Sequence, residues 1–125
     1  MKKIFCLVIL VYITVLLFGC SSIVEQRVET IVLEGNPTTG FTWVYTMSPE
    51  GVVREISNEY IADNTRGEIV GAGGQFVFVF EAIAAGEAEL VFSYLRVWER
   101  DVPPLSTVMY KAIVDEKNNL TMIQK

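Results

Sequence analysis

The sequence predicts an all-β domain, a sandwich of six or seven strands. Three observations carry this. Short runs rich in β-branched and aromatic residues recur along the chain, several with strict apolar/polar alternation. Clusters of Gly, Pro, Asn and Ser separate them at short intervals. No helical periodicity appears after residue 22. This spacing of strands and turns favours a β-sandwich, with a small closed barrel as the alternative.

The chain has 125 residues, enough for one domain. Its first 19 read as a signal peptide rather than as part of that domain. Lys2 and Lys3 give a positive start, Ile4 to Phe18 is almost unbroken apolar sequence, and small residues follow. Leu17-Phe18-Gly19-Cys20 resembles the lipobox of bacterial lipoproteins. By that resemblance Cys20 becomes the acylated, palmitate-bearing first residue of the mature chain. Ser21 behind it lacks the aspartate associated with inner-membrane retention, which implies the outer membrane in a cell that has one. The alternative is an uncleaved anchor, for which the apolar run is short. Residues 20–25 are then a lipidated cysteine and tether, and residues 26–125 the folded domain. The expected location is the cell envelope, facing out of the cytoplasm.

The strands follow in order. Arg27 to Leu33 begins with polar/apolar alternation, and Thr42 to Thr46 is β-branched and aromatic. Ser48-Pro49-Glu50-Gly51 is a turn, and Val52 to Ile61 is a weaker strand with charges on one face. Ala62 to Gly74 is polar and glycine-rich. Gln75 to Ile83 is the strongest strand: Phe76, Phe78 and Phe80 share one face, while Val77 and Val79 make the other apolar, as in a central strand. Ala84 to Glu87 is a turn, and Ala88 to Val97 carries Leu90, Phe92 and Tyr94 in register. Together these two runs read as a hairpin. Trp98 to Pro104 is a charged loop, Thr107 to Val114 a further strand, Glu116 to Asn119 a turn, and Leu120 to Ile123 a short last strand. Trp43 reads as core.

Charge and residue inventory narrow the function. The full chain carries net −5, and removing residues 1–19 takes away two lysines and no acid. An acidic domain argues against nucleic acid and against electrostatic docking on anionic lipid, so membrane attachment falls to the acyl chains. There is no histidine, and the two cysteines are Cys6 in the leader and Cys20. That removes Ser-His-Asp and Cys-His catalysis, the common zinc sites and any disulfide within the domain. Glu87/Glu89 and Glu99/Asp101 read as solvated charge. Gly71-Ala72-Gly73-Gly74 precedes a strand and lacks the P-loop lysine. No cofactor, metal or catalytic residue is expected; the informative residues bind rather than react.

Asn36-Pro37-Thr38-Thr39-Gly40-Phe41 is the most informative segment. Pro37 fixes φ and removes a backbone donor, and Gly40 permits a positive φ. The loop is stiff, with few unmet donors, and suited to presentation. With Gly71-Ala72-Gly73-Gly74 and Arg96-Val97-Trp98 it forms an ordered set that resembles the chagasin family of cysteine peptidase inhibitors, over about residues 24–114. The resemblance implies an immunoglobulin-like β-sandwich of about seven strands with the three loops at one end, entering the active-site cleft of a papain-like cysteine peptidase. By position, Asn36, Pro37, Thr38, Thr39, Gly40 and Phe41 would block the catalytic centre. Gly71, Gly73 and Gly74 would flank one wall, and Arg96 and Trp98 the other. The implied partner is the peptidase, bound reversibly by a monomer.

One position departs from the family pattern: Val97 stands where proline is usual, so that loop is expected to be less preorganised. Each motif has a plainer reading as well. Asn-Pro and Thr-Gly are ordinary turn formers, Trp98 could be core, and Arg96 could pair with Glu99 or Asp101 at the surface. The competing function is a non-catalytic adhesive or structural envelope lipoprotein. Loop geometry separates the two: Thr38, Gly73 and Trp98 at one end and outward favours inhibition.

Overall fold

The computed structural model describes residues 26–63 and 73–125. The leader, Cys20, the rest of the tether and Gly71 lie outside the described residues. The strands are β1 (Val28–Gly35), β2 (Thr42–Ser48), β3 (Val53–Ala62), β4 (Gly74–Ala82), β5 (Gly86–Leu95), β6 (Ser106–Val114) and β7 (Leu120–Gln124). They form two sheets, ordered β1-β4-β3 and β2-β5-β6-β7, with every pairing antiparallel. The two separate sheets make a sandwich, not a barrel.

Alternation builds the core. On β4, Phe76, Phe78 and Phe80 are buried, as are Ala88, Leu90 and Phe92 on β5. Ile31, Leu33, Trp43, Val53, Ala112, Val114 and Leu120 complete it from the other strands. The ring of Phe92 meets Phe78 edge-on at 5.0 Å, and Tyr45 stands edge-on to Phe78 and Phe80. Each fully buried Phe or Leu contributes about 1.5–3 kcal/mol over its exposed state. Burial and the nearby Glu55 carboxylate push the Tyr45 phenol well above its usual range. Among the described residues, the buried ones run from Ile31 to Leu120.

β4 is central in its sheet, which agrees with its two apolar faces. The expected β4–β5 hairpin is corrected: the two strands lie in different sheets. Their phenylalanine and leucine rows face each other across the sandwich, with Phe78 and Phe80 meeting Phe92. Ile83 to Ala85 carries the chain over, anchored by the Ile83 N–H donating to the Val52 carbonyl at 2.8 Å.

Registers fix where the loops go. Gly35 pairs with Gly74, Ala62 with Gly74, Thr42 with Leu95, and Tyr94 with Ser106. The β1–β2, β3–β4 and β5–β6 connections therefore emerge at one pole. The start of β1 lies at the other, where the Gln26 N–H donates to Asn119 Oδ1 and the Leu120 N–H to the Gln26 carbonyl.

Candidate functional site: three loops at one pole

The first loop is a 3-10 turn over Pro37–Thr39, capped by Asn36 and ended by Gly40 at φ +84°. Asn36 Oδ1 accepts from the Thr38 N–H at 3.1 Å and from the Thr38 hydroxyl at 2.6 Å. The Asn36 carbonyl accepts from the Thr39 N–H and hydroxyl, and the Gly40 N–H donates to the Pro37 carbonyl at 3.0 Å. With Pro37 lacking an N–H, the exposed turn spends its donors on itself. Its shape is thus a local consequence of four residue types in sequence.

Below the turn, aromatic packing fixes its height. The Asn36 N–H donates to the Tyr94 hydroxyl at 2.8 Å. The Tyr94 ring stacks on Phe41 at 5.2 Å and packs on Trp43 at 5.0 Å. Trp43 is buried, as expected, and its Nε1–H donates to the Glu34 carbonyl at 2.9 Å, joining the end of β1 to the start of β2. Phe41 is half-buried between Tyr94 and Arg96, so the turn's plug faces inward as much as outward.

The third loop opens with a turn, Arg96 to Glu99, closed by the Glu99 N–H donating to the Arg96 carbonyl at 3.1 Å. β5 ends at Leu95, two residues before the expected end. The Arg96 Nε–H donates to the Thr39 carbonyl at 3.0 Å, and its guanidinium lies 4.4 Å from the Phe41 ring centroid. Trp98 is 64% exposed and outward, yet the edge of its indole rests on Gly40. A Cβ on Gly40 would clash with that ring edge, so Gly40 is needed for space as well as for its backbone angle. The first and third loops are one surface. Arg96 pairs with Glu99 Oε1 at 2.9 Å, the partner foreseen in the plainer reading.

The described end of the glycine loop, Gly73 and Gly74, stands at the same pole. Its base is closed by the Asp63 N–H donating to the Gly73 carbonyl at 3.0 Å, and Gly73 lies beside the Gly35 carbonyl. Gly74 is buried, and a Cβ there would strike the Ile61 carbonyl and the Tyr60 ring. The close approach that Gly74 permits is therefore to its own sheet.

Of the sequence-predicted residues, Pro37, Thr38, Thr39 and Trp98 are exposed, and Asn36, Gly40, Phe41, Gly73 and Arg96 are half-buried. Tyr94 and Gly35 are supporting residues that sequence reasoning missed. The signal for Tyr94 was its hydroxyl at the loop end of an otherwise apolar inward row. Gly35, where a Cβ would collide with Phe76 and Tyr94, had only its place before Asn36-Pro37.

A model described as the chagasin family of peptidase inhibitors (I42) matches residues 25–112. Amoebiasin-1 of Entamoeba histolytica is 36% identical over 77 residues, covering 62% of this chain and 72% of that protein. Chagasin of Trypanosoma cruzi is 34% identical over 79 residues, covering 60% of this chain and 69% of that protein. The crystal structure of EhICP2, a cysteine protease inhibitor of Entamoeba histolytica, matches with TM-score 0.63 at 21% identity. That match covers 71% of this chain and 79% of the other, and it speaks to the fold.

Proposed function

This chain belongs to the chagasin family of peptidase inhibitors, and we propose that it blocks the active-site cleft of papain-like cysteine peptidases with its three loops. It is an inhibitor and not an enzyme. One observation carries the proposed mode: Trp98 rests on Gly40 while Arg96 holds the Thr39 carbonyl, so the two loops form a single wedge. A peptidase cleaves an extended peptide. The 3-10 turn has its backbone donors bound internally and offers no extended segment across Thr38 and Thr39. A preformed turn also loses little conformational entropy on docking. In this reading Asn36 to Phe41 covers the catalytic centre, the Gly71–Gly74 loop lies on one wall, and Trp98 supplies apolar contact on the other.

The test is titration of papain with residues 21–125. Reversible inhibition at sub-micromolar concentration is expected. Full activity at micromolar inhibitor, repeated with several papain-like enzymes, sinks the proposal. Replacing Thr38 and Thr39 with bulky residues is expected to abolish inhibition without unfolding the domain.

We also propose that the chain is a monomeric lipoprotein acylated on Cys20, facing out of the cytoplasm. The polarity of β1 supports this, because the chain enters at the pole opposite the three loops and an anchor there leaves the wedge pointing away from the bilayer. Incorporation of labelled palmitate that vanishes in Cys20→Ser is the expected result; equal labelling of both rules it out. Gel filtration of residues 21–125 checks the monomer.

A further inference from the structure

The turn Arg96-Val97-Trp98-Glu99 carries the exposed tryptophan, yet its second position is valine. Proline there would lock φ and stiffen the turn; valine does not. No hydrogen bond to another described residue uses the Val97 N–H. Something else must hold the turn.

Glu99 is placed to do so. Its N–H closes the turn on the Arg96 carbonyl, and its carboxylate returns to Arg96 Nη1 at 2.9 Å. The two side chains are only 35% and 29% exposed. The guanidinium is planar, so fixing one of its nitrogens fixes the directions of the others. Held by Glu99 on one side and lying over Phe41 on its face, Arg96 aims Nε at the Thr39 carbonyl. A half-buried ion pair at the surface adds little to global stability. Its consequence is geometric, because Arg96 carries the hydrogen bond that ties the third loop to the first.

We infer that Glu99 is a positioning residue. Acting through Arg96, it braces the Arg96–Glu99 turn against the first loop, so that Trp98 and the Pro37–Gly40 turn meet a partner already in register. The brace also neutralises Arg96, which makes that arginine an internal strut more than a charge offered to the partner. The binding consequence rests on the proposed inhibitory function; the brace itself does not.

The test uses residues 21–125, which contain every buried residue among those described, as wild type, Glu99→Ala, Val97→Pro and the double variant. Amide exchange is read at Gly40 and at residue 99, and papain inhibition is measured alongside. Glu99→Ala is expected to raise both exchange rates about tenfold and to weaken inhibition about tenfold. Its melting temperature should stay within about 2 °C of wild type. Adding Val97→Pro should bring exchange and inhibition back to within about twofold of wild type, because proline restores order without any carboxylate.

Unchanged exchange in Glu99→Ala overturns the inference. So does a loss of inhibition that Val97→Pro leaves unrepaired while exchange recovers, since Glu99 would then be a contact. If Val97→Pro alone weakens inhibition, recovery is judged by exchange. A wild-type domain that does not inhibit papain counts against the proposed function, and the exchange rates still decide the brace.

Discussion

The first and third loops share a surface but are built on opposite principles. Asn36 to Phe41 is short and polar, and it is bound to itself: the N–H groups of Thr38, Thr39 and Gly40 all find acceptors within the turn. Arg96 to Leu105 is longer and shows apolar side chains to solvent at Val97, Trp98, Val102 and Leu105. It is pinned near its ends, by the Glu99 and Arg96 contacts and by the Leu105 N–H on the Tyr94 carbonyl at 2.8 Å. Self-satisfied hydrogen bonding gives a fixed shape with little to offer in contact energy. Exposed apolar area gives contact energy without fixing shape. Joined through Gly40, each loop supplies what the other lacks.

Breaking the joint should have the largest effect. Gly40→Ala puts an L residue at φ +84° and a methyl group against the edge of the Trp98 ring, too close to fit without a shift. The backbone alone costs about 1–2 kcal/mol, measurable by urea unfolding. Displacing Trp98 as well is expected to weaken papain inhibition about a hundredfold, equivalent to about 2.7 kcal/mol. Inhibition within threefold of wild type would mean that the loops act separately.

Removing only the apolar contribution should come next. Trp98→Ala is expected to cost about 2 kcal/mol of binding while leaving unfolding within about 0.5 kcal/mol, because the side chain is mostly in water. A large loss of stability would recast Trp98 as a structural residue.

Weakening the seat of the first loop should do the reverse. Tyr94→Phe removes the hydroxyl that receives the Asn36 N–H. About 1 kcal/mol of stability should go, with inhibition falling only a few-fold because the turn's own bonds remain. An unchanged unfolding curve would show that the seat is redundant.

The smallest effect comes from acid, at the opposite pole. Hydrogen bonds from the Asn119 side chain and backbone hold the Asp115 carboxyl below its usual range. A depressed pKa contributes stability that is present above the unfolded value and is lost as pH falls through the folded one. Below about pH 4, protection at the Leu120 amide should therefore decline relative to its intrinsic exchange rate. Protection at the Leu105 amide, at the loop pole, should hold, since its partner is the Tyr94 carbonyl and not a carboxylate. Parallel loss at both amides would show that the poles are coupled.

Much of this was legible beforehand, and where it failed is instructive. The Phe76-Phe78-Phe80 row announced a buried face, and Val77 and Val79 a central strand. The same alternation could not say that β4 and β5 part company between sheets, because period two reveals that a face is buried and not what lies against it. The loop motifs were visible as residue types. Gly74 was expected to flank one wall, and within its sheet it is also needed for the close approach of Ile61 and Tyr60. Arg96 was expected to flank the cleft, and within the chain it is also tied to Thr39, Phe41 and Glu99. Both depend on neighbours distant in sequence.

The division follows the range of the forces. The sequence by itself determined the strand faces, the self-capped turn at Asn36 to Gly40 and the absence of histidine, since each is a matter of adjacent residues or of composition. Only the tertiary structure decided that Trp98 would lie on Gly40 and that Arg96 would reach Thr39, 57 positions away. That meeting depends on the register of Thr42 against Leu95 and on the Tyr94 hydroxyl beneath Asn36. Such register is set by packing the whole core, and it brings two loops with complementary properties to one edge.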